Sequence, residues 1–270
     1  MNSVISKKQT CFILFSRDPG GANCIAAVAD KLRQIPEIKT YLWGKDFAVD
    51  KYSERKLNCQ DTSHLSLPQI RSLVQTINPK FILTGTSYGD YSEQRLWQLA
   101  QALHIPSAAI LDQWLNYRLR FTSADGQLIT PDKILVMDDF AKRDMIKQGF
   151  NKNQLVITGH PYLEFLREQT ISTKHHPHHQ LSFLFISEPI EQAKHISLGY
   201  TEKTIITHLI DALSKISLSR KIKLIIKLHP KNDFETMKSF INRFAIPKSI
   251  NVSIVTDIPL PKLILKSDLV

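Results

Sequence analysis

The stretch CFILFSRDPGGANCIAAVADKL, residues 11–32, decides the fold. Its first five residues are apolar with no polar alternation. A strand with one wet face alternates, whereas a continuous run marks a strand buried on both faces, as in a parallel sheet covered by helices. RDPGGANC then reads as a loop, and Gly20-Gly21 lets backbone come close to other backbone or to a ligand. After it, Ile25, Val28, Ala29 and Leu32 fall at i, i+3, i+4 and i+7, the stripe of a helix with one buried face. Strand, glycine loop, helix is the repeating unit of an open α/β sheet.

The unit recurs along the chain. KTYLW (39–43), KFILTG (80–85), SAAILD (107–112), KILVMD (133–138) and LVITGHP (155–161) are strand candidates. Ser66 to Gln69 reads as a capping box, followed by the stripe Ile70, Leu73, Val74, Ile77 and a stop at Asn78-Pro79. Leu96, Leu99, Ala100 and Leu103 stripe another helix, and residues 139–150 form a short one ending at Gly149. Residues 167–180 have no apolar period and read as a linker. Beyond it the pattern restarts with strand 181–187, helix 201–216, strand 222–228, helix 233–243, strand 251–255 and helix 259–266. The expected fold is therefore α/β with two Rossmann-like parallel-sheet domains, residues 1–166 and 181–270, the second incomplete.

Composition narrows the partners. The chain of 270 residues carries 35 Lys+Arg against 25 Asp+Glu, a net charge of +10. That favours an anionic partner: nucleic acid, an anionic membrane surface or a phosphorylated small molecule. The basic run 220–231 has the apolar core of a buried strand, and no nucleic-acid motif accompanies it, so nucleic acid is set aside. Three cysteines without C-x-x-C spacing fit a reducing, cytoplasmic setting. The run HHPHH (175–179) lies in the linker without carboxylates or a helical His pair, so neither a metal nor another cofactor is expected.

In open parallel sheets, ligands bind beyond the carboxyl ends of the strands, and five stretches qualify. Asp18, Gly20, Gly21 and Asn23 follow the first strand; the bland reading is a tight turn. Thr86 and Ser87 lie in TGTSYGDYSE, where Asp90 or Ser92 could simply cap a helix. Asp112, Trp114, Asn116, Tyr117 and Arg118 crowd the next strand end. There an Asp suits a general base and the rings suit stacking on a sugar or apolar tail, unless the Asp merely pairs with an Arg. His160 sits in TGHPY, ligand contact or hinge turn. Last, KIKLIIKLHPKNDFE (221–235) ends a strand with His229-Pro230-Lys231. With Pro230 in the first turn of the next helix, and Lys227 and Lys231 nearby, His229 would sit at a phosphate site.

This combination of two Rossmann-like halves, a glycine loop after the first strand and KLHP ending a strand of the second half resembles the GT-B glycosyltransferases of bacterial surface-polysaccharide biosynthesis. It is most similar to CDP-glycerol glycerophosphotransferases and His-Pro-motif sialyltransferase-like enzymes. FLFISEPIEQ and LGYTE (183–202) look like the start of their donor domain. The resemblance implies an acceptor-side first half, with Gly20, Gly21, Asn23, Thr86, Ser87, Trp114, Asn116, Tyr117, Arg118 and His160 toward the acceptor. It implies a second half that binds a nucleotide-sugar or CDP-polyol through His229, Lys231, Lys227, Ser187 and Glu188. Asp112, then Asp18, would deprotonate a hydroxyl of a glycan or lipid-linked acceptor, with a peripheral contact at the inner face of the membrane. The family pattern continues past SDLV (267–270), so C-terminal truncation, with loss of transfer, is part of the expectation. A UDP-sugar 2-epimerase-like enzyme and a non-catalytic nucleotide- or glycan-binding remnant stay open.

Overall fold

The computed structural model describes residues 9–170, 180–192, 198–216 and 220–270. The chain divides into two compact units, Met1–Arg167 and Glu168–Val270. The HHPHH run and most of the expected linker lie outside the described residues.

The first unit runs β1 (Thr10–Ser16), α1 (Pro19–Leu32), β2 (Ile38–Gly44), α2 (Phe47–Glu54), β3 (Gln60–Asp61), α3 (Leu67–Ile77), β4 (Phe81–Thr84), α4 (Ser92–Ala102), β5 (Ser107–Ile110), α5 (Tyr117–Phe121), β6 (Lys133–Val136), α6 (Asp139–Lys147), β7 (Leu155–Ile157) and α7 (Pro161–Thr170). Its seven strands are all parallel, in the order β3-β2-β1-β4-β5-β6-β7. β1 is buried on both faces, as its apolar run requires. Leu14 joins α1 and α2 in one cluster with Ala22, Ile25 and Tyr52, while Ile13 and Phe15 join α3 and α4 in another with Val74, Leu96 and Leu99. Alternate residues of one strand thus serve opposite layers. α3 begins at the expected capping box, Ser66 with Gln69.

α7 extends to Thr170, into the stretch read as linker. α2, α5, α7 and the two-residue β3 had no counterpart in the sequence pattern. α2 buries only Ala48 and Tyr52, too few for a readable stripe.

The second unit runs β8 (Leu181–Ile186), α8 (Glu202–Lys215), β9 (Ile222–Lys227), α9 (Phe234–Ile241), β10 (Ile250–Val255) and α10 (Leu260–Ile264). Its three strands are parallel in the order β10-β9-β8. α8 and α9 cover one face through Ile206, Ile210, Met237 and Ile241, whereas the other face carries only a small cluster of Leu184, Ile225 and Leu263 from α10. This is a Rossmann-like unit with an incomplete sheet. Leu269 makes an isolated parallel bridge to Phe183, and the Leu184 amide donates to its carbonyl at 2.8 Å.

Candidate functional site

In the first unit the strand order reverses between β1 and β4, the point where an open sheet leaves a crevice beyond its carboxyl ends. The turns after β1, β4 and β5 meet there. Gly21 lies against Gly85, so close that a Cβ on Gly85 would stand 3.0 Å from the Gly21 Cα. Neither residue has a positive φ; the glycines are needed for backbone approach, not for turn geometry. A Cβ on Gly20 would lie 1.8 Å from Asp112 Oδ2. The Asp112 carboxylate therefore rests on the first turn of α1, where the helix dipole favours an anion.

Asp112 does not face water. Its side chain and that of Arg120 are 4% and 5% exposed, joined by an Arg120 Nη1–Asp112 Oδ1 contact of 2.8 Å. The same Nη1 donates to the Thr86 carbonyl at 2.8 Å and to Thr86 Oγ1 at 2.9 Å. One guanidinium thus ties the β4 and β5 turns together. Burial pushes the Asp112 carboxyl above the usual carboxylate range, with the Arg120 charge opposing.

The remaining first-unit candidates sort by geometry. His160 Nε2 meets the Asp112 carbonyl at 3.2 Å, so that nitrogen carries the proton. Its Nδ1 then accepts from the Leu163 amide, with the buried Cys24 Sγ at 3.8 Å. Trp114 stacks on the His160 ring, centroids 6.0 Å apart, and donates from Nε1 to Asp138 Oδ2 at 2.8 Å. Asp18 accepts from Arg17 Nη1 at 2.8 Å and from the Tyr88 amide at 3.0 Å. Ser87 donates to Glu93 at 2.6 Å. Asn116 is exposed, in the left-handed region at φ 60°, and Asn23 stands half-buried in α1.

One expectation needs correction. Tyr117 is 1% exposed and packs in the cluster of Phe121, Met145 and Phe150, so its ring belongs to the core and cannot stack on a ligand. Arg118 Nη1 donates to the Gln148 carbonyl at 2.9 Å, at the C-terminal end of α6 where a cation is favoured. The group that sequence reasoning passed over is Glu93. Tyr117, Arg120 and Phe121 fall at i, i+3 and i+4, so recognising α5 would have placed Arg120 on its inner face.

In the second unit the ends of β8 and β9 lie side by side: the Ser187 amide donates to the Lys227 carbonyl at 2.9 Å. Ser187 is 2% exposed, and its Oγ has no hydrogen-bond partner among the described residues. The turn after β9 is held by Asn232, which accepts from the His229 amide at 3.1 Å and donates to Glu202 Oε1 at 3.0 Å. Glu202 is buried, and its other oxygen accepts from the Glu191 amide at 3.0 Å. One carboxylate at the start of α8 thus braces the loops after β8 and β9.

His229 Nδ1 accepts from the Lys231 amide at 3.1 Å, which puts the ring proton on Nε2. Lys231 and Glu188 are exposed; Lys227 Nζ donates to the Thr256 carbonyl. Pro230 is not in the first turn of α9. The helix starts at Phe234 with Asp233 as its cap, accepting from the Thr236 amide at 2.7 Å, so His229 to Asn232 form a separate turn. Among the described residues no group of three His, Cys, Asp or Glu is placed to hold a metal ion.

No protein-family model matches the sequence, and a search of curated proteins finds no match. Solved structures do match. The UDP-GlcNAc 2-epimerase of Neisseria meningitidis bound to UDP-GlcNAc aligns with a TM-score of 0.63 at 13% identity, covering 96% of this chain and 76% of that one. The Anabaena protein Alr3699/HepE in complex with UDP and glucose aligns at 0.58 and 12% identity, covering 97% and 73%. MurG of Acinetobacter baumannii aligns at 0.55 and 12% identity, covering 96% and 70%. The chain has the GT-B-like fold. At these identities the likeness shows the fold alone, and nothing in it singles out CDP-glycerol or sialyltransferase enzymes.

Proposed function

We propose that the chain is a nucleotide-sugar protein of GT-B type whose second unit holds the nucleoside diphosphate at the ends of β8 and β9. The observation that carries this is the pairing of the His229 turn with the Ser187 hydroxyl. His229 Nε2–H and the Lys231 ammonium are donors, and Ser187 Oγ is a buried group without a partner among the described residues. A diphosphate supplies acceptor oxygens of the matching sign. Fold neighbours bound to UDP or UDP-GlcNAc support the same class of ligand.

In the transfer reading, the acceptor oxygen attacks the sugar or polyol-phosphate centre and its proton passes to a carboxylate. The bond to the nucleotide breaks, and the leaving phosphate takes the electron pair, stabilised by His229 and Lys231. Asp112 is assigned the base, its pKa raised by burial, with Asp18 second; its carboxylate is paired with Arg120, so proton transfer requires that corner to open. Thr86, Trp114 and His160 serve the acceptor side. The net charge of +10 suits an acceptor presented at an anionic surface.

The second reading is an epimerase acting on a UDP-sugar, favoured by the several UDP-GlcNAc 2-epimerases among the fold neighbours. It uses the same phosphate site and needs no acceptor.

Thermal unfolding with UDP, CDP, CMP and GDP tests the shared step. A ligand at about 100 times its Kd stabilises by roughly 2.7 kcal/mol. One nucleotide should raise Tm, and His229→Ala should abolish the rise while leaving the unliganded Tm in place. No shift with any nucleotide would sink the proposal. With a nucleotide identified, incubating its N-acetylhexosamine ester without acceptor tests the second reading: C2 inversion means epimerase, and an unchanged sugar counts against it.

A further inference from the structure

The turn that carries His229 is closed twice by one residue. The Asn232 amide donates to the His229 carbonyl at 2.9 Å, and Asn232 Oδ1 accepts from the His229 amide at 3.1 Å. Residues 229–232 thus form a hydrogen-bonded turn with Pro230 in the position that favours proline. With its oxygen used, Asn232 can only donate onward, and it does so from Nδ2 to Glu202 Oε1 at 3.0 Å. Glu202 Oε2 accepts from the Glu191 amide at 3.0 Å, in the single helical turn that follows Ser187. Gln192 Nε2 donates to the Lys231 carbonyl, a second tie between the same two loops.

Donor and acceptor roles are fixed along this chain. Both groups that face Glu202 are N–H donors, so both of its oxygens must accept, which a carboxylate does and an amide cannot. Glu202 is 3% exposed, so bulk water is not there to replace a lost partner. By charge alone, a carboxylate next to a phosphate site is unfavourable, because it repels the anion. Any benefit it brings is geometric. We propose that Glu202 and Asn232 are positioning residues of the phosphate site: their hydrogen bonds go to the protein, and they hold the His229 turn and the loop after Ser187 in the one arrangement that binds a diphosphate. The inference rests on the reading of that site given above. Its consequence runs opposite to simple electrostatics: removing a negative charge beside the site should weaken the binding of an anion.

Calorimetry of the full chain with UDP, CDP and GDP, well below the melting temperature, measures the affinity of the folded protein. With Glu202→Gln, one donor faces another in every orientation of the two amides, and binding should weaken about tenfold. The charge account predicts tightening instead. Adding Asn232→Asp restores every hydrogen bond with the roles exchanged: the new amide donates to the new carboxylate and accepts from the Glu191 amide. The double variant should recover most of the affinity, although it carries one more negative charge than Glu202→Gln. Asn232→Ala, at a half-buried site and neutral, should weaken binding about as much as Glu202→Gln, which covers the case that Glu202→Gln fails to fold. A brace that serves folding alone would lower the melting temperature of these variants and leave the affinity of the folded chain as it was. The ring nitrogens of His229, assigned with His229→Ala, give a readout without ligand. Their NMR shifts should report the Nε2–H tautomer in the wild type and the double variant, and a mixture in Glu202→Gln. Equal or tighter binding by Glu202→Gln, or a double variant no better than Glu202→Gln, would overturn this inference and leave the diphosphate reading in place. A wild-type chain that binds none of the three nucleotides would overturn both.

Discussion

The two units build the same corner, a strand end, a turn and a following helix, and then use it in opposite ways. In the first, the start of α1 is filled by the protein's own Asp112, paired with Arg120 and pressed on Gly20. In the second, the corresponding corner holds His229, Lys231 and the buried Ser187 hydroxyl, which has no partner among the described residues, while the buried carboxylate of Glu202 is turned into the loops as a brace. An anion approaching the first corner meets a carboxylate; approaching the second it meets donors. On the proposed reading equal folds carry unequal binding, and the glycine loop of the first packs against Asp112 and Gly85.

The comparison breaks most readily at Arg120. Arg120→Met leaves Asp112 buried without a counter-charge, which should cost about 3–5 kcal/mol in denaturant unfolding. Adding Asp112→Asn should recover much of that loss, because the double variant buries no charge. A loss under about 1 kcal/mol for Arg120→Met would mean that the corner is open to water and available to a ligand after all.

How much of this was legible follows the periodicity. β1, β4 and β9 announced themselves because burial on both faces leaves a continuous apolar run, and α1, α3 and α8 because a single buried stripe is long enough to count. α5 has five residues, less than two turns, and no stripe can be read from that. The Asp112 partner could be named only as an unspecified Arg for the same reason. Without the helix, Arg118 and Arg120 looked equivalent, although one faces out and the other in. His229 was legible as a strand-end residue. The Asn232–Glu202 brace was not, because it joins residues thirty positions apart whose pairing exists only once the sheet has formed.

Glu93 sharpens the view of the first corner as a self-contained assembly. It lies wholly buried in the first turn of α4, and burial pushes its pKa from 4.5 up to about 7, with the Ser87 hydrogen bond opposing. In the folded state it holds its proton over a range where the unfolded chain has lost it. Stability should therefore fall as pH rises from 4.5 and level off above about 7, a loss on the order of 3 kcal/mol. Glu93→Gln titrates nowhere in that range. The stability difference between variant and wild type should grow toward alkaline pH, and a constant difference would show that the carboxylate is solvated. Gly20→Ala probes the same corner by volume. Its Cβ would fall 1.8 Å from Asp112 Oδ2, so the carboxylate must move, at about 1–3 kcal/mol of stability.

The smallest expected change in stability is at Ser187, and it is the most discriminating. A buried hydroxyl without a partner contributes no hydrogen bond to the unliganded fold and has already lost its water. Ser187→Ala should leave the unfolding free energy within about 0.5 kcal/mol of wild type or raise it slightly. If the hydroxyl serves a bound phosphate, the same variant should weaken nucleotide binding by up to about tenfold, the worth of one hydrogen bond. A polar deletion in the first unit would then cost folding, and one in the second would cost only binding. Should Ser187→Ala instead destabilise the fold with nucleotide affinity unchanged, the hydroxyl would have an internal partner. The second corner would then be as closed as the first, and the contrast on which the assignment of the phosphate site rests would be gone.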